Sequence, residues 1–88
     1  MAIKILDSGY VYHKKGDHVT AFQISNEDLS GDPQYFGYVN EEEAWIIQER
    51  NITNGTYKYV MGRGDFDTAV TGAWAIRATL SYVLYSDL

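Results

Sequence analysis

The sequence predicts one small all-β domain, residues 1–88, built as an antiparallel meander, sandwich or barrel of about six short strands. Three observations carry this expectation. Runs of β-branched and aromatic residues alternate with Gly, Asn, Asp and Pro at short intervals. Eight residues are tyrosine, a strand former that also suits half-buried surfaces. Proline occurs once, and the composition is 45% hydrophobic and 22% charged, which is that of a globular chain rather than a disordered one.

The first strand is expected over Gly9 to His13, where Tyr10, Val11 and Tyr12 are consecutive strand formers. Lys14-Lys15-Gly16-Asp17 reads as a turn. The second strand, His18 to Ile24, takes its apolar mass from Val19, Phe22 and Ile24. Ser25 to Gln34 is the clearest loop, rich in Asn, Asp, Ser and Gly. Its Pro33 fixes its own φ and keeps Asp32 out of the helical region.

The third and fourth strands are Tyr35 to Val39 and Ala44 to Glu49. Between them Asn40-Glu41-Glu42-Glu43 has two readings. Asn40 with Glu43 fits a capping box. The run Ala44-Trp45-Ile46-Ile47, without a later apolar residue at helical spacing before Ile52, favours a buried strand and hence a hairpin with an acidic tip. Asn54-Gly55 is the strongest signal of the next turn. Thr56 to Met61 is the fifth strand, with Tyr57, Tyr59 and Met61 on one face. Gly62 to Gly72 reads as loop, with one helical turn after Asp67. Trp74 to Tyr85 is expected to be the longest strand, because Ile76, Ala78, Leu80, Tyr82 and Leu84 alternate with period two.

Composition narrows the function. The chain has no cysteine, which excludes disulfides and Cys-based zinc sites. Twelve acids against seven bases give a net charge of −5, and no Lys or Arg lies between Lys15 and Arg50. That segment repels phosphate, so neither nucleic acid nor an anionic membrane is an expected partner. Met1 to Leu6 is too short and too weakly apolar for a signal peptide, and no run approaches the ~20 apolar residues of a membrane span. A chain made in the cytoplasm is expected.

The residues for chemistry are sparse. His13 and His18, five apart, do not share a strand face and read as surface residues flanking a turn. No serine or threonine sits in a nucleophile elbow. Asp65 and Asp67 in a glycine-flanked loop read as solvated and are too few for a calcium loop. Gly62-Arg63-Gly64 lacks the pattern of a phosphate cradle. Arg63-Gly64-Asp65 spells a tripeptide used by integrin ligands, in a loop whose turn residues favour Gly and Asp anyway. Asn51-Ile52-Thr53 and Asn54-Gly55-Thr56 match the glycosylation pattern and place this turn at the surface. No catalytic residue, cofactor or metal is expected. What remains is aromatic: Tyr10, Tyr12, Tyr35, Phe36, Tyr38, Trp45, Tyr57, Tyr59, Trp74, Tyr82 and Tyr85 outsize the interior expected of 88 residues, which suggests docking through spare rings.

The order Gly55-Thr56-Tyr57-Lys58-Tyr59, a Gly-containing loop, then Ala73-Trp74-Ala75-Ile76-Arg77-Ala78-Thr79-Leu80-Ser81-Tyr82 resembles a family of small proteins encoded among the virion structural genes of tailed bacteriophages. Tyr35-Phe36-Gly37-Tyr38-Val39-Asn40 and Trp45-Ile46-Ile47 look like the same family's hairpin, so the resemblance spans residues 35–88. The chain departs from the pattern at Ala75-Ile76, where the family usually carries Thr-Asn. The resemblance implies no catalytic activity. It implies a virion component, a capsid or tail accessory made in the host cytoplasm, that binds a larger virion protein or copies of itself. Trp74, Arg77, Tyr57, Tyr59, Trp45 and Tyr82 are the expected docking or core-organising residues, and Arg77 is expected to hold a carboxylate or carbonyls through its planar fork, or to bridge across the final hairpin. Two other readings stand beside this one: a carbohydrate- or receptor-binding module, and a small acidic inhibitor of a host protein whose contact runs from Asp17 to Glu49.

Overall fold

The computed structural model describes the backbone of residues 3–5, 10–15 and 18–88, and the side chains of residues 12–13 and 19–88. Among the described residues six strands form one antiparallel sheet in chain order: β1 (Ile3–Ile5), β2 (Tyr10–Lys15), β3 (His18–Asp28), β4 (Gln34–Val39), β5 (Ala44–Asn51) and β6 (Thr56–Arg63). The expected all-β meander is the observed architecture. Strands β4, β5 and β6 start within one residue of their expected positions and run up to two residues further. Strand β2 extends through Lys14 and Lys15, which the sequence suggested were turn; Gly9, Gly16 and Asp17 lie outside the described residues. The N-terminal strand β1 was not expected at all.

The acidic hairpin forms. The Asn40 side-chain oxygen accepts the backbone N–H groups of Glu42 and Ala44 at 3.0 and 2.9 Å, so the residue that could have capped a helix closes a turn instead. Glu43 takes a positive φ of 63° to re-enter the sheet. Strand β3 is longer than expected. The polar stretch Ser25 to Asp28 continues it, through a bulge between Ile24 and Asn26, because β4 supplies ladder partners as far as Asp28 opposite Tyr35.

The largest departure is the segment read as the final strand. Residues 74–82 are turns and a 3-10 helix at Arg77–Thr79, and a second 3-10 helix covers Tyr85–Asp87. Strand pairing is confined to one bridge, Tyr59 with Val83, on the outer edge of β6. The expected helical turn after Asp67 is present: the Gly72 N–H donates to the Thr68 carbonyl at 2.7 Å.

The pairing register sorts the side chains into two faces. Phe22, Ile24, Phe36, Tyr38, Ala44, Ile46 and Tyr59 share one, and Tyr35, Val39, Trp45, Ile47 and Val60 the other. Tyr85 reveals which face is concave. Its ring lies 5.4 Å from both His13 on β2 and Tyr59 on β6. In a flat sheet strands four lanes apart are separated by ~19 Å. One tyrosine touches both because the sheet curls into a half-barrel with the first face inside.

The outer face is roofed over β4 to β6 by the chain beyond Arg63. Phe66, Ala73, Trp74, Leu80 and Tyr82 pack on Tyr35, Trp45 and Ile47. Two glycines make the approach close. A Cβ at Gly37 would sit 2.7 Å from Phe66 and 3.0 Å from Trp74, and one at Gly62 would run into the Trp45 indole. The segment then pairs along β6 at Val83 and drops Tyr85 into the inner face. It therefore acts as a strap around one edge of the sheet.

Candidate functional site

The strap brings three of the expected docking residues together. The Arg77 guanidinium lies 4.5 Å from the Trp74 ring centroid and 5.6 Å from that of Tyr35, a cation held between two π faces. Its Nη1 donates to the Trp74 carbonyl at 2.8 Å, and its Nη2 to Asp28 Oδ2 at 2.6 Å. The Tyr82 hydroxyl donates to the Arg77 carbonyl at 2.8 Å, and the Tyr82 ring stands 6.0 Å from Tyr35. Trp45 lies deeper in the same cluster, with its indole N–H on the Gly64 carbonyl at 2.9 Å. This group organises a core. The Arg77 salt bridge goes to the end of β3 and not across a final hairpin.

Electrostatics follow from these contacts. The Ser30 hydroxyl, the Arg77 guanidinium and the Ser30 N–H hold the Asp28 carboxyl down at about 2. The Thr53 hydroxyl and the N–H groups of Ile52 and Thr53 lower that of Asp32, which joins the β3–β4 loop to the β5–β6 turn. Burial raises the phenols of Tyr35, Tyr38 and Tyr82.

Tyr57 and Tyr59 are placed elsewhere, on the inner face. Tyr59 accepts a hydrogen bond from Gln48 at 3.1 Å and stacks edge-on against Tyr85. Tyr57 is exposed at the rim, with the Arg50 guanidinium 5.8 Å from its ring. It begins a strip along β6: Tyr57, Met61 and Val83 are all exposed, and Val83 pairs with Tyr59, which lies between Tyr57 and Met61 on the same strand face.

Two expectations need correction. His13 is 5% exposed and its Nδ1 lies 2.6 Å from the Tyr85 hydroxyl, so it is a buried residue of the half-barrel and not a surface one. The rings also do not outsize the interior. Tyr35, Tyr38 and Trp45 are buried and Phe36, Tyr59, Trp74, Tyr82 and Tyr85 half-buried, because the strap roofs the outer face over β4 to β6 and the sheet curls around the inner one; Tyr12 and Tyr57 are the exposed ones among the described residues. The Tyr10 side chain lies outside the described residues.

Sequence reasoning missed a further feature. Strand β3 pairs with β2 over His18 to Gln23, whereas β4 joins it from Gln23 onward. The resulting notch is a cleft of about 520 Å³ lined by Val19 to Gln23 on one side and Val39 to Glu42 on the other. Its sequence signal is the length mismatch between β3 and β4, which polar residues at 25–28 concealed. Arg63-Gly64-Asp65 is not a projecting tip: Arg63 Nη1 donates to the Glu42 carbonyl at 3.0 Å and the Gly64 N–H to the Glu43 carbonyl at 2.7 Å. No family model matches this chain, and no curated protein or solved structure matches it either.

Proposed function

We propose that this chain is a non-enzymatic virion component of a tailed bacteriophage, a capsid or tail accessory that works by docking on a larger virion protein or on copies of itself. The exposed strip of Tyr57, Met61 and Val83 along β6 is the observation that carries this reading. The strip joins an aromatic and a methionine of the edge strand to a valine of the strap beside it, a composition suited to the centre of a protein interface. It lies within the part of the sequence, residues 35–88, that resembles the phage proteins.

The test has two arms. Mass spectrometry of purified particles of the phage that encodes the chain is expected to find it in stoichiometric amount. Light scattering of the isolated chain, or of the chain mixed with the major virion proteins, is expected to show assembly that Tyr57→Ser with Met61→Ser abolishes. Absence from the particles would overturn the virion assignment. Assembly indifferent to the two substitutions would overturn the strip as its surface.

A further inference from the structure

Three features were left over by that reading: the strained loop tip at Val70, the acidic recess between Glu43 and Asp67, and the notch beside β3. The notch carries an inference furthest. We propose that it binds an extended basic segment of a partner protein, which adds as a strand alongside β3. This rests on the reading of the chain as a docking protein, but it uses a surface remote from the β6 strip.

The backbone is the first argument. Over residues 18–22 strand β3 has β2 on one side and no described strand on the other. In an antiparallel ladder every second residue turns its N–H and C=O away from a given neighbour. Those of β3 therefore face into the cleft, where an added strand would pair with them. Five residues span ~17 Å, so the notch takes a segment of about that many residues.

The walls are the second argument. Val19 is 54% exposed and Ala21 is also exposed on the outer face, where the strap does not reach; Thr20 and Phe22 lie toward the inner face. An incoming strand with small or β-branched residues would cover both sets, since its side chains alternate in the same way.

Charge decides between occupants. The β4 end of the notch is the Asn40 to Glu42 turn, where Glu41 and Glu42 are both exposed. Arg63 approaches that turn from the β6 side and is held by the Glu42 carbonyl. A segment with Lys or Arg at the end meeting the turn would complement these carboxylates. A second copy fits poorly. Each copy carries a net charge of −5, and its own β2–β3 hairpin would run into the lane that β4 already fills.

The test is an NMR titration of the labelled full chain with the synthetic peptide Lys-Val-Thr-Val-Thr-Lys. Controls are the same peptide with Glu at both ends and the same peptide with alternate backbone amides N-methylated. The basic peptide is expected to shift amides of residues 18–23 and 40–42. The acidic control should bind about tenfold more weakly, and the N-methylated one should lose binding. Glu41→Lys with Glu42→Lys, both exposed and so compatible with the fold, should weaken the basic peptide by about tenfold as well. No shift, shifts elsewhere, or equal binding of the acidic peptide would overturn the proposal. Concentration-dependent shifts of residues 18–22 without peptide would replace the basic partner by a second copy. If the notch fails while the β6 substitutions still abolish assembly, docking stands and this surface does not. Failure of both removes the docking reading itself.

Discussion

Arg77 and Asp28, 49 residues apart in the chain, meet at 2.6 Å where the strap crosses the end of β3. Both side chains are about three-quarters covered, and Arg77 is further held by the faces of Trp74 and Tyr35. A pair in this position does more than a surface ion pair, because it ties the roof of the outer face to the end of β3, beside the packing of Trp74 and Tyr82. Arg77→Ala is expected to destabilise the domain by about 2–3 kcal/mol in urea unfolding. Arg77→Lys should restore a minor part of that, since an ammonium cannot serve the Trp74 carbonyl and Asp28 together through a planar fork. Equal stability of the Lys variant and the parent would show that charge alone matters here.

The same contact sets an acid limit. Hydrogen bonds from Ser30, then from Arg77, lower the folded-state Asp28 carboxyl to about 2 from an ordinary 3.8. The folded state thus binds the proton less readily than the unfolded one. The stabilisation is present above the unfolded value and is lost as pH falls from about 4 through about 2. The melting temperature should decline over that window, and Asp28→Asn should flatten the decline while lowering the plateau above it. An unchanged slope in that variant would assign the acid sensitivity to other carboxylates.

At the opposite end of the scale, burial raises the Tyr82 phenol, whose hydroxyl donates to the Arg77 carbonyl. The folded state keeps this proton above the ordinary value of 10.0, so its contribution holds below that value and fades as pH rises beyond it. Tyr82→Phe should make the protein less sensitive to alkali, read as a shallower fall of melting temperature above pH ~10.

Gly37 and Gly62 test the fit of the roof and of Trp45. Gly37→Ala would press a methyl group on Phe66 and Trp74, and Gly62→Ala would press one on the Trp45 indole. Each is expected to cost about 1–3 kcal/mol. Gly31→Ala, at a position with open space around the added carbon, is the matched control and should be close to neutral.

Val70 is a β-branched residue at φ 79° and 81% exposed, a strained conformation with no packing to offset it. Val70→Gly relieves the strain but makes the unfolded chain more flexible. A net gain of up to about 1 kcal/mol is expected in thermal unfolding. A loss would mean that the valine side chain makes a stabilising contact of its own.

How much of this was legible in the sequence depends on what each segment packs against. Strands β4 to β6 were readable because their alternation reflects a sheet with two different faces, and because Asn40 and Asn54-Gly55 mark their turns. The stretch from Trp74 to Tyr85 carries the same alternation without forming a strand. Leu80 and Tyr82 meet the outer face, whereas Ile76 and Leu84 are exposed, and β6 offers the passing chain one bridge at Val83. Only two of its five alternating apolar residues find the outer face, so the period of two there does not mark a place in the sheet. The Arg77 cluster was visible as residue types, but its partner was not. Asp28 sits in a polar run read as loop, and nothing in the local pattern links it to a position 49 residues later. His13 was misplaced because a histidine paired with one distant tyrosine leaves no neighbouring signature.

The strap also imposes an order of events during synthesis. Consecutive strands pair, so each strand of the meander has its neighbour within reach once the next one has been made. The two sides of that sheet nevertheless stay bare until residues 66–85 have cleared the exit tunnel. A chain halted near Arg63 would display Trp45 and Ile47 on one side and an inner face without Tyr85 on the other, the kind of bare apolar surface through which incomplete chains aggregate.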